Sequence, residues 1–336
     1  MKRLLTYFSD PVSIFHATAK ELISCGISQR AVENFQTRKR LVSLEKIEKY
    51  LAQSSCKILL FGETNYPKLL TQIPDPPFLL YTKGNISLLG KKCVAVVGSR
   101  SASEYGKLAV KQLVPQLIPA DICIVSGLAV GIDALSHQAT LDTKGKTIAV
   151  LGSGIEHIFP SQNQSLADNI LNNDGLIISE LPPFFHSSKF TFPLRNRIIA
   201  GISTAVVVVE AMEKSGALIT AECALESGRE VFAVPGNINQ PRSLGCNQLI
   251  QKGAHIITSV KDIFDVLGIP RQLQTISQNE NEALILSLFQ NYDEISIDYL
   301  TAQIHLPINM INATLIEMEL SGKITKLPSG KYSRNL

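Results

Sequence analysis

The sequence predicts an α/β fold with an extended, mainly parallel sheet, preceded by a small helical domain and followed by a winged-helix-like domain. Three observations predict it. Short β-rich runs alternate with helical stretches through the middle of the chain, nearly every run ends on small polar residues, and the composition shifts at both ends. Alternation of this kind implies β-α-β crossovers and a sheet covered on both faces, the Rossmann-like arrangement.

Residues 1–55 read as short helices, a small domain of the SAM or helix-hairpin-helix kind. Ser9-Asp10-Pro11 starts one helix, Gly26 breaks the next and Ser28 caps another. The basic run Arg38-Lys39-Arg40 reads as a solvated helix face. Tyr66-Pro67 and Pro74-Asp75-Pro76-Pro77 form a rigid extended segment expected to pack along the sheet, because each proline fixes its own φ and restricts its predecessor.

Residues 56–268 form the Rossmann-like body, with KILLF, CVAVVG, ICIVSG, TIAVLG, LIISE, AVVVVEA, VFAVPG and HIITS as its strands. Residues 269–282 are polar and read as a linker. Residues 283–336 then give a helix, a second from about Asp298, a third from about Pro307, and a hairpin turning at Pro328-Ser329-Gly330, the order of a winged helix-turn-helix.

With 336 residues, 45% hydrophobic and 18% charged, the chain can bury a large core. A net charge of +3 permits a polyanion partner without demanding one. The six cysteines form no C-x-x-C pair and several lie in apolar runs, which suits free thiols in a reducing cytoplasm. Asp10 and Pro11 interrupt any leader core, and the longest apolar stretch, Ile198–Val209, falls short of the ~20 residues a membrane helix needs. A cytoplasmic location without a membrane partner is therefore expected.

In open parallel sheets, ligands sit beyond the carboxyl ends of the strands. Here those ends are Gly98-Ser99-Arg100, Ser126-Gly127-Leu128-Ala129, Gly152-Ser153-Gly154, Ser179-Glu180, Ser215-Gly216-Ala217 and Pro235-Gly236-Asn237. Glycine and serine let backbone N–H groups approach an anion, and the following helix dipoles add attraction. Tight strand-to-helix turns also require glycine, so it is the repetition that points to a ligand. The dinucleotide fingerprint is incomplete, because His157 stands where Gly152-x-Gly154 would need its third glycine. Arg100 projecting from the first loop suits a phosphate backbone better than a snug pyrophosphate turn.

Residues 189–197 place Lys189, Arg195 and Arg197, the amide of Asn196 and the rings of Phe190 and Phe192 within nine positions, leading into a Pro-started helix. Cations for phosphates and rings for unpaired bases are what single-strand binders require. Arg195 and Arg197 cannot face the same side of a helix, so one of them is expected to pair with Glu180 or Glu210. Asp133 and His137, spaced i, i+4, are expected to be a buried, mutually hydrogen-bonded pair rather than metal ligands or an acid–base couple. No nucleophile elbow and no P-loop lysine motif occurs, so no catalytic set, metal site or cofactor is expected. From residue 278 onward, four basic residues stand against seven acidic ones, a net −3. The helix that would enter a DNA groove carries Glu317 and Glu319 and no basic residue before Lys323, so a protein contact or a structural role fits it better than duplex reading.

These residues resemble the DprA/Smf family of DNA-processing proteins in order and spacing. The resemblance is carried by Tyr66-Pro67 with Ile73-Pro74-Asp75-Pro76-Pro77, by Val94 through Arg100, and by Ser126-Gly127-Leu128-Ala129-x-Gly131-Ile132-Asp133 with His137. It continues through Phe192-Pro193-x-Arg195-Asn196-Arg197-Ile198-Ile199-Ala200-Gly201, Ser215 through Ala221, and Gly228-Arg229-x-Val231-x-Ala233-Val234-Pro235-Gly236. It implies a protein that binds single-stranded DNA in a basic pocket, self-associates as a homodimer and helps load RecA during DNA uptake. The positions matching the family's DNA-contacting motifs are Gly98, Ser99, Arg100, Lys189, Phe192, Asn196 and Arg197, with Arg100 and Lys189 on phosphates and Phe192 under a base. Ser126, Gly127, Arg195, Ser215 and Gly216 complete the expected interface. Glu156 and Phe159, where aspartate and tyrosine are usual, and His186, where small residues are usual, depart from the pattern at the pocket rim. An alternative reading, a Rossmann-like nucleotide phosphoribohydrolase, shares the glycine-rich strand ends, but its P-G-G-x-G-T stretch is absent.

Overall fold

The first apolar positions of the chain fold into five short helices, α1 (Lys2–Tyr7), α2 (Pro11–His16), α3 (Ala19–Ser24), α4 (Gln29–Lys39) and α5 (Leu44–Gln53). Asp10 caps α2 by accepting from the Ser13 N–H, and Thr18 with Glu21 forms a capping box on α3. Within the basic run, the Lys39 ammonium lies 4.9 Å from the centroid of Phe15. A computed structural model describes every residue except 1, 9, 41–42, 270–279, 290–291, 305, 328 and 335–336. Two units are distinguished, Met1–Arg271 and Gln272–Leu336.

In the larger unit, β1 (Lys57–Leu60) pairs antiparallel with β2 (Leu79–Gly84), a strand that the sequence reading had not separated from the proline-rich segment before it. The other apolar runs become β3 (Cys93–Val97), β4 (Cys123–Ser126), β5 (Thr147–Val150), β6 (Leu176–Ser179), β7 (Ala205–Val208), β8 (Glu230–Ala233) and β9 (His255–Ile256). The sheet order is β1-β2-β6-β5-β4-β3-β7-β8-β9. From β6 to β9 all neighbours are parallel, and β2 joins β6 antiparallel. Strands β3 to β7 are buried at every position, as strands covered on both faces must be.

Two-residue periodicity sends alternate side chains of β3 to opposite faces. Val94 and Val96 pack with α6 (Glu104–Leu117), the start of α7 (Ile132–Asp142) and Ile263. Beside them, α8 (Gln164–Asn172) packs on β5 and β6. Cys93, Ala95 and Val97 face α9 (Thr191–Ile202), α10 (Gly216–Glu226) and α11 (Pro241–Gln251). Ile263 belongs to α12 (Val260–Val266). The segment from Tyr66 to Ile73 does pack inward: Tyr66, Leu70 and Ile73 join the core under α9. The chain winds outward from β3 through β4, β5 and β6, then returns to β3's other side at β7. That reversal opens a crevice at the carboxyl ends of β3 and β7.

In the second unit, α13 (Glu280–Leu288), α14 (Ile297–Gln303) and α15 (Ile308–Leu320) surround a core that includes Ile285, Leu300, Ile311 and Leu315. A three-stranded sheet joins β10 (Glu294–Ile295), β11 (Ile324–Lys326) and β12 (Tyr332–Arg334), in the order β10-β12-β11. The sequence reading anticipated the hairpin but not β10. The expected linker lies mostly on 270–279, outside the described residues, as does Pro328 of the expected turn; Glu280–Glu282 belong to α13. The six cysteines are all free, and no helix among the described residues is long and apolar enough to cross a membrane.

Candidate nucleic-acid interface

A pocket of about 800 Å³ occupies the β3–β7 crevice. Its first wall is the loop after β3. Ser99 is buried and its Oγ accepts from the Ser101 N–H at 3.2 Å, while its carbonyl accepts from Ile132 N–H at the start of α7. Gly131, at φ 80°, permits this close approach, because a side chain there would strike the carbonyls of Ser99 and Arg100. Held by these bonds, the loop turns the Arg100 side chain outward into solvent.

The second wall is formed by the N-termini of α9 and α10. Ser215 caps α10, its Oγ accepting from Ala217 N–H at 3.3 Å, and Asn196 of α9 donates to the Gly216 carbonyl at 3.1 Å. Residues of both helix N-termini thus line one space, which the positive dipole ends of α9 and α10 favour for negative charge. Helix α9 begins at Thr191, two residues before the proline expected to start it, so Phe192 sits in its first turn. The Phe192 ring packs at Gly152, tilts against Phe159 at 5.7 Å, and carries the Arg100 guanidinium 5.2 Å from its centroid.

Nine of the twelve expected residues line this pocket: Gly98, Ser99, Arg100, Lys189, Phe192, Arg195, Asn196, Ser215 and Gly216. Three do not. Ser126 is fully buried and donates to the Val96 carbonyl, and Gly127 lies beneath the floor against the Arg195 guanidinium. Arg197 points away, its Nη2 held by both oxygens of Glu180 at 2.8 Å and its Nε 3.4 Å from Asp75. The expected division of the two arginines therefore occurs with Glu180 as the partner. Among the described residues Glu210 binds no arginine. It accepts from the backbone N–H and the hydroxyl of Ser103, at the start of α6.

Arg195 is 7% exposed, so it meets the pocket as part of its floor rather than as a free cation. Its Nη1 donates to the carbonyls of Gly127 and Val150, and its Nε donates to Asn196 Oδ1. Burial lowers its pKa to about 10, partly offset by Asp133. Burial likewise raises the pKa of Asp133, and Arg195 is the largest influence opposing that. The expected hydrogen bond between Asp133 and His137 is not formed. Asp133 accepts from Gly127 N–H at 3.1 Å, while His137 Nδ1 meets Thr147 Oγ1 at 2.7 Å.

Lys214, Phe159 and Ser101 also line the pocket, though the sequence did not put them forward as binding residues. Lys214 immediately precedes the Ser215 cap, which was the one signal available for it. Arg100, Lys189 and Lys214 are exposed and take part in none of the ion pairs among the described residues. Unneutralised cations beside two helix N-termini give this mouth a positive field suited to anions, and the Phe192 and Phe159 rings give it an aromatic side.

Residues 57–268 match the family model described as DNA recombination-mediator protein A, and residues 270–330 match the DprA winged helix domain. The chain belongs to the DprA/Smf family of DNA-processing proteins. Among DprA relatives, the DNA processing protein DprA of Bacillus subtilis (strain 168) is 39% identical over 255 residues, 76% of this chain and 84% of that one. The X-ray structure of DprA from Streptococcus pneumoniae superposes with a TM-score of 0.67 at 40% identity, covering 74% of this chain and 87% of that one. A structure of DNA processing protein A from Helicobacter pylori, reported for its single-stranded DNA binding mode, gives a TM-score of 0.58 at 29% identity, covering 64% and 97%.

Of the three departures from the DprA pattern, Phe159 lines the pocket, while Glu156 and His186 do not. Phe159 takes the place expected of a tyrosine against Phe192. Glu156 is turned away, held by Tyr50 Oη at 2.5 Å and Lys83 Nζ at 2.8 Å. His186 pairs with His157, Nδ1 to Nε2, at 3.0 Å.

Proposed function

We propose that this protein binds single-stranded DNA in the β3–β7 pocket and acts as a recombination mediator. Arg100, Lys189 and Lys214 hold phosphates, and Phe192 stacks a base. The observation that carries this reading is the convergence of unpaired cations, two helix N-termini and an aromatic ring on one crevice. Similarity to the H. pylori protein supports it. The same family likeness supports self-association as a homodimer and delivery of the strand to RecA during DNA uptake in the cytoplasm.

Fluorescence anisotropy of a short single strand and of a duplex, at two salt concentrations, tests the reading. Wild type is expected to prefer the single strand with a steep salt dependence, and Arg100→Ala/Lys189→Ala to lose most of that binding. Equal affinity for strand and duplex, unchanged in the double variant, would overturn it. RecA delivery predicts faster RecA assembly on single strands in the protein's presence.

A further inference from the structure

The loops leaving β5 and β6 run side by side. Gly154 N–H donates to the Phe185 carbonyl at 2.7 Å and Glu156 N–H to the Pro183 carbonyl at 2.9 Å. Gly154 lets them close, since any side chain there would collide with the carbonyls of Pro182 and Pro183. The two stapled loops carry several rings. His157 meets His186 with centroids 4.0 Å apart, and Phe184 meets Tyr50 edge-on at 5.1 Å. Phe190 lies under the Lys189 ammonium, 5.2 Å from its centroid.

Phe184 and Phe190 are 66% and 69% exposed despite these contacts. A single exposed ring is ordinary, but aromatic side chains gathered on one loop pair beside a cationic mouth form a surface with a use. Lys189 belongs both to the pocket lining and to the Phe190 contact, so a phosphate at its ammonium brings a neighbouring base within reach of the Phe190 ring, on the loop that also carries Phe184 and His186.

We propose that His157, His186, Phe184 and Phe190 form a second subsite that stacks the unpaired bases of a DNA strand as it leaves the Arg100–Phe192 pocket. This rests on the pocket holding single-stranded DNA. Continuity with that pocket favours the same strand as occupant over a separate protein partner. Rings of this kind accept any base, because every base has a π-face, so the subsite adds length-dependent affinity without sequence preference.

The test compares oligothymidines of about four and about twelve nucleotides, the span of a small single-strand site, and a longer strand whose distal half is abasic. Binding is measured for wild type, Phe184→Ala/His186→Ala, His186→Phe and Arg100→Ala. Wild type is expected to bind the long strand more tightly than the short or half-abasic one. Phe184→Ala/His186→Ala should lose about tenfold on the long strand, of the order that loss of a stacked base produces, and nothing on the short one. His186→Phe should keep the long-strand advantage, and Arg100→Ala should weaken both lengths. Undiminished long-strand binding in Phe184→Ala/His186→Ala, equal loss on both lengths, or a half-abasic strand that binds like the intact one overturns the subsite while leaving the pocket reading intact. If wild type binds no strand, both fail.

Discussion

Asp133 and Arg195 hold the same residue from opposite sides: Asp133 Oδ2 accepts the Gly127 N–H at 3.1 Å, and Arg195 Nη1 donates to the Gly127 carbonyl at 2.6 Å. Both side chains are buried, so each compensates charge that water cannot reach. Arg195→Ala leaves the Asp133 carboxylate without that compensation, and the expected loss of stability is about 3–5 kcal/mol. Arg195→Met combined with Asp133→Asn removes both charges and should recover a large part of it. Urea unfolding of the two variants measures the difference, and equal losses would show that the two residues are not coupled.

Gly127→Ala should destabilise by the same route, since its methyl group would fall on the Arg195 guanidinium, which the Gly127 and Val150 carbonyls hold in place. A loss of about 1–3 kcal/mol is expected, together with a fall in single-strand affinity as α9 shifts. A variant as stable as wild type would mean that the floor relaxes.

Arg100 and Arg197 both belong to motifs that the family resemblance assigns to DNA, yet they differ in free charge. Among the described residues Arg100 has no carboxylate partner, whereas Arg197 is held by Glu180 and Asp75. Arg100→Ala should lower the slope of log affinity against log salt by about 0.7, the value per phosphate on a single strand, with stability within about 0.5 kcal/mol of wild type. Arg197→Met should leave the salt slope unchanged and lower stability instead. A slope change of similar size in both variants would place Arg197 on the strand.

Lys214→Ala should reduce the salt slope by a similar step, about 0.7. Lys214 lines the pocket from the loop before α10 and takes part in no ion pair among the described residues. An unaltered slope would show that the strand leaves the pocket on the other side.

Much of this arrangement was visible in the sequence because it depends on local pattern. The strand runs, the glycine-serine ends and the split between Arg195 and Arg197 follow from periodicity and turn chemistry. Which arginine would go inward was not visible, because Glu180 and the backbone carbonyls that receive them come from other strands. Ser126-Gly127 looked like an anion loop but is the clasped floor beneath one, since Arg195 arrives from residues far along the chain. Strand β2 escaped notice because its apolar run follows directly on prolines and its partners, β1 and β6, are fixed only by the sheet.

The fate of His137 gives a prediction about acid stability. Thr147 Oγ1 donates to the Ile124 carbonyl at 2.8 Å, so toward His137 it accepts, and the imidazole carries its proton on Nδ1. Nε2 is then a bare lone pair, buried without a partner among the described residues. Protonating it would place an unpaired N–H and a charge in the core within the repulsion of Arg195, and burial first and Arg195 second lower the pKa to about 3. The unfolded imidazole titrates near the ordinary value of 6.5. Between those values the unfolded state binds the extra proton, so the stability this residue supplies is complete above about pH 6.5 and falls as the pH drops toward 3. Asp133, with its pKa raised, acts in the opposite sense, because the folded state takes up its proton first. A variant at position 137 separates the two. Wild type should lose about 2 kcal/mol from this residue between pH 7.5 and pH 5, and His137→Gln should show a correspondingly flatter profile in urea unfolding. Identical pH dependence in the two proteins would mean that the imidazole gains a proton without cost, contrary to its burial.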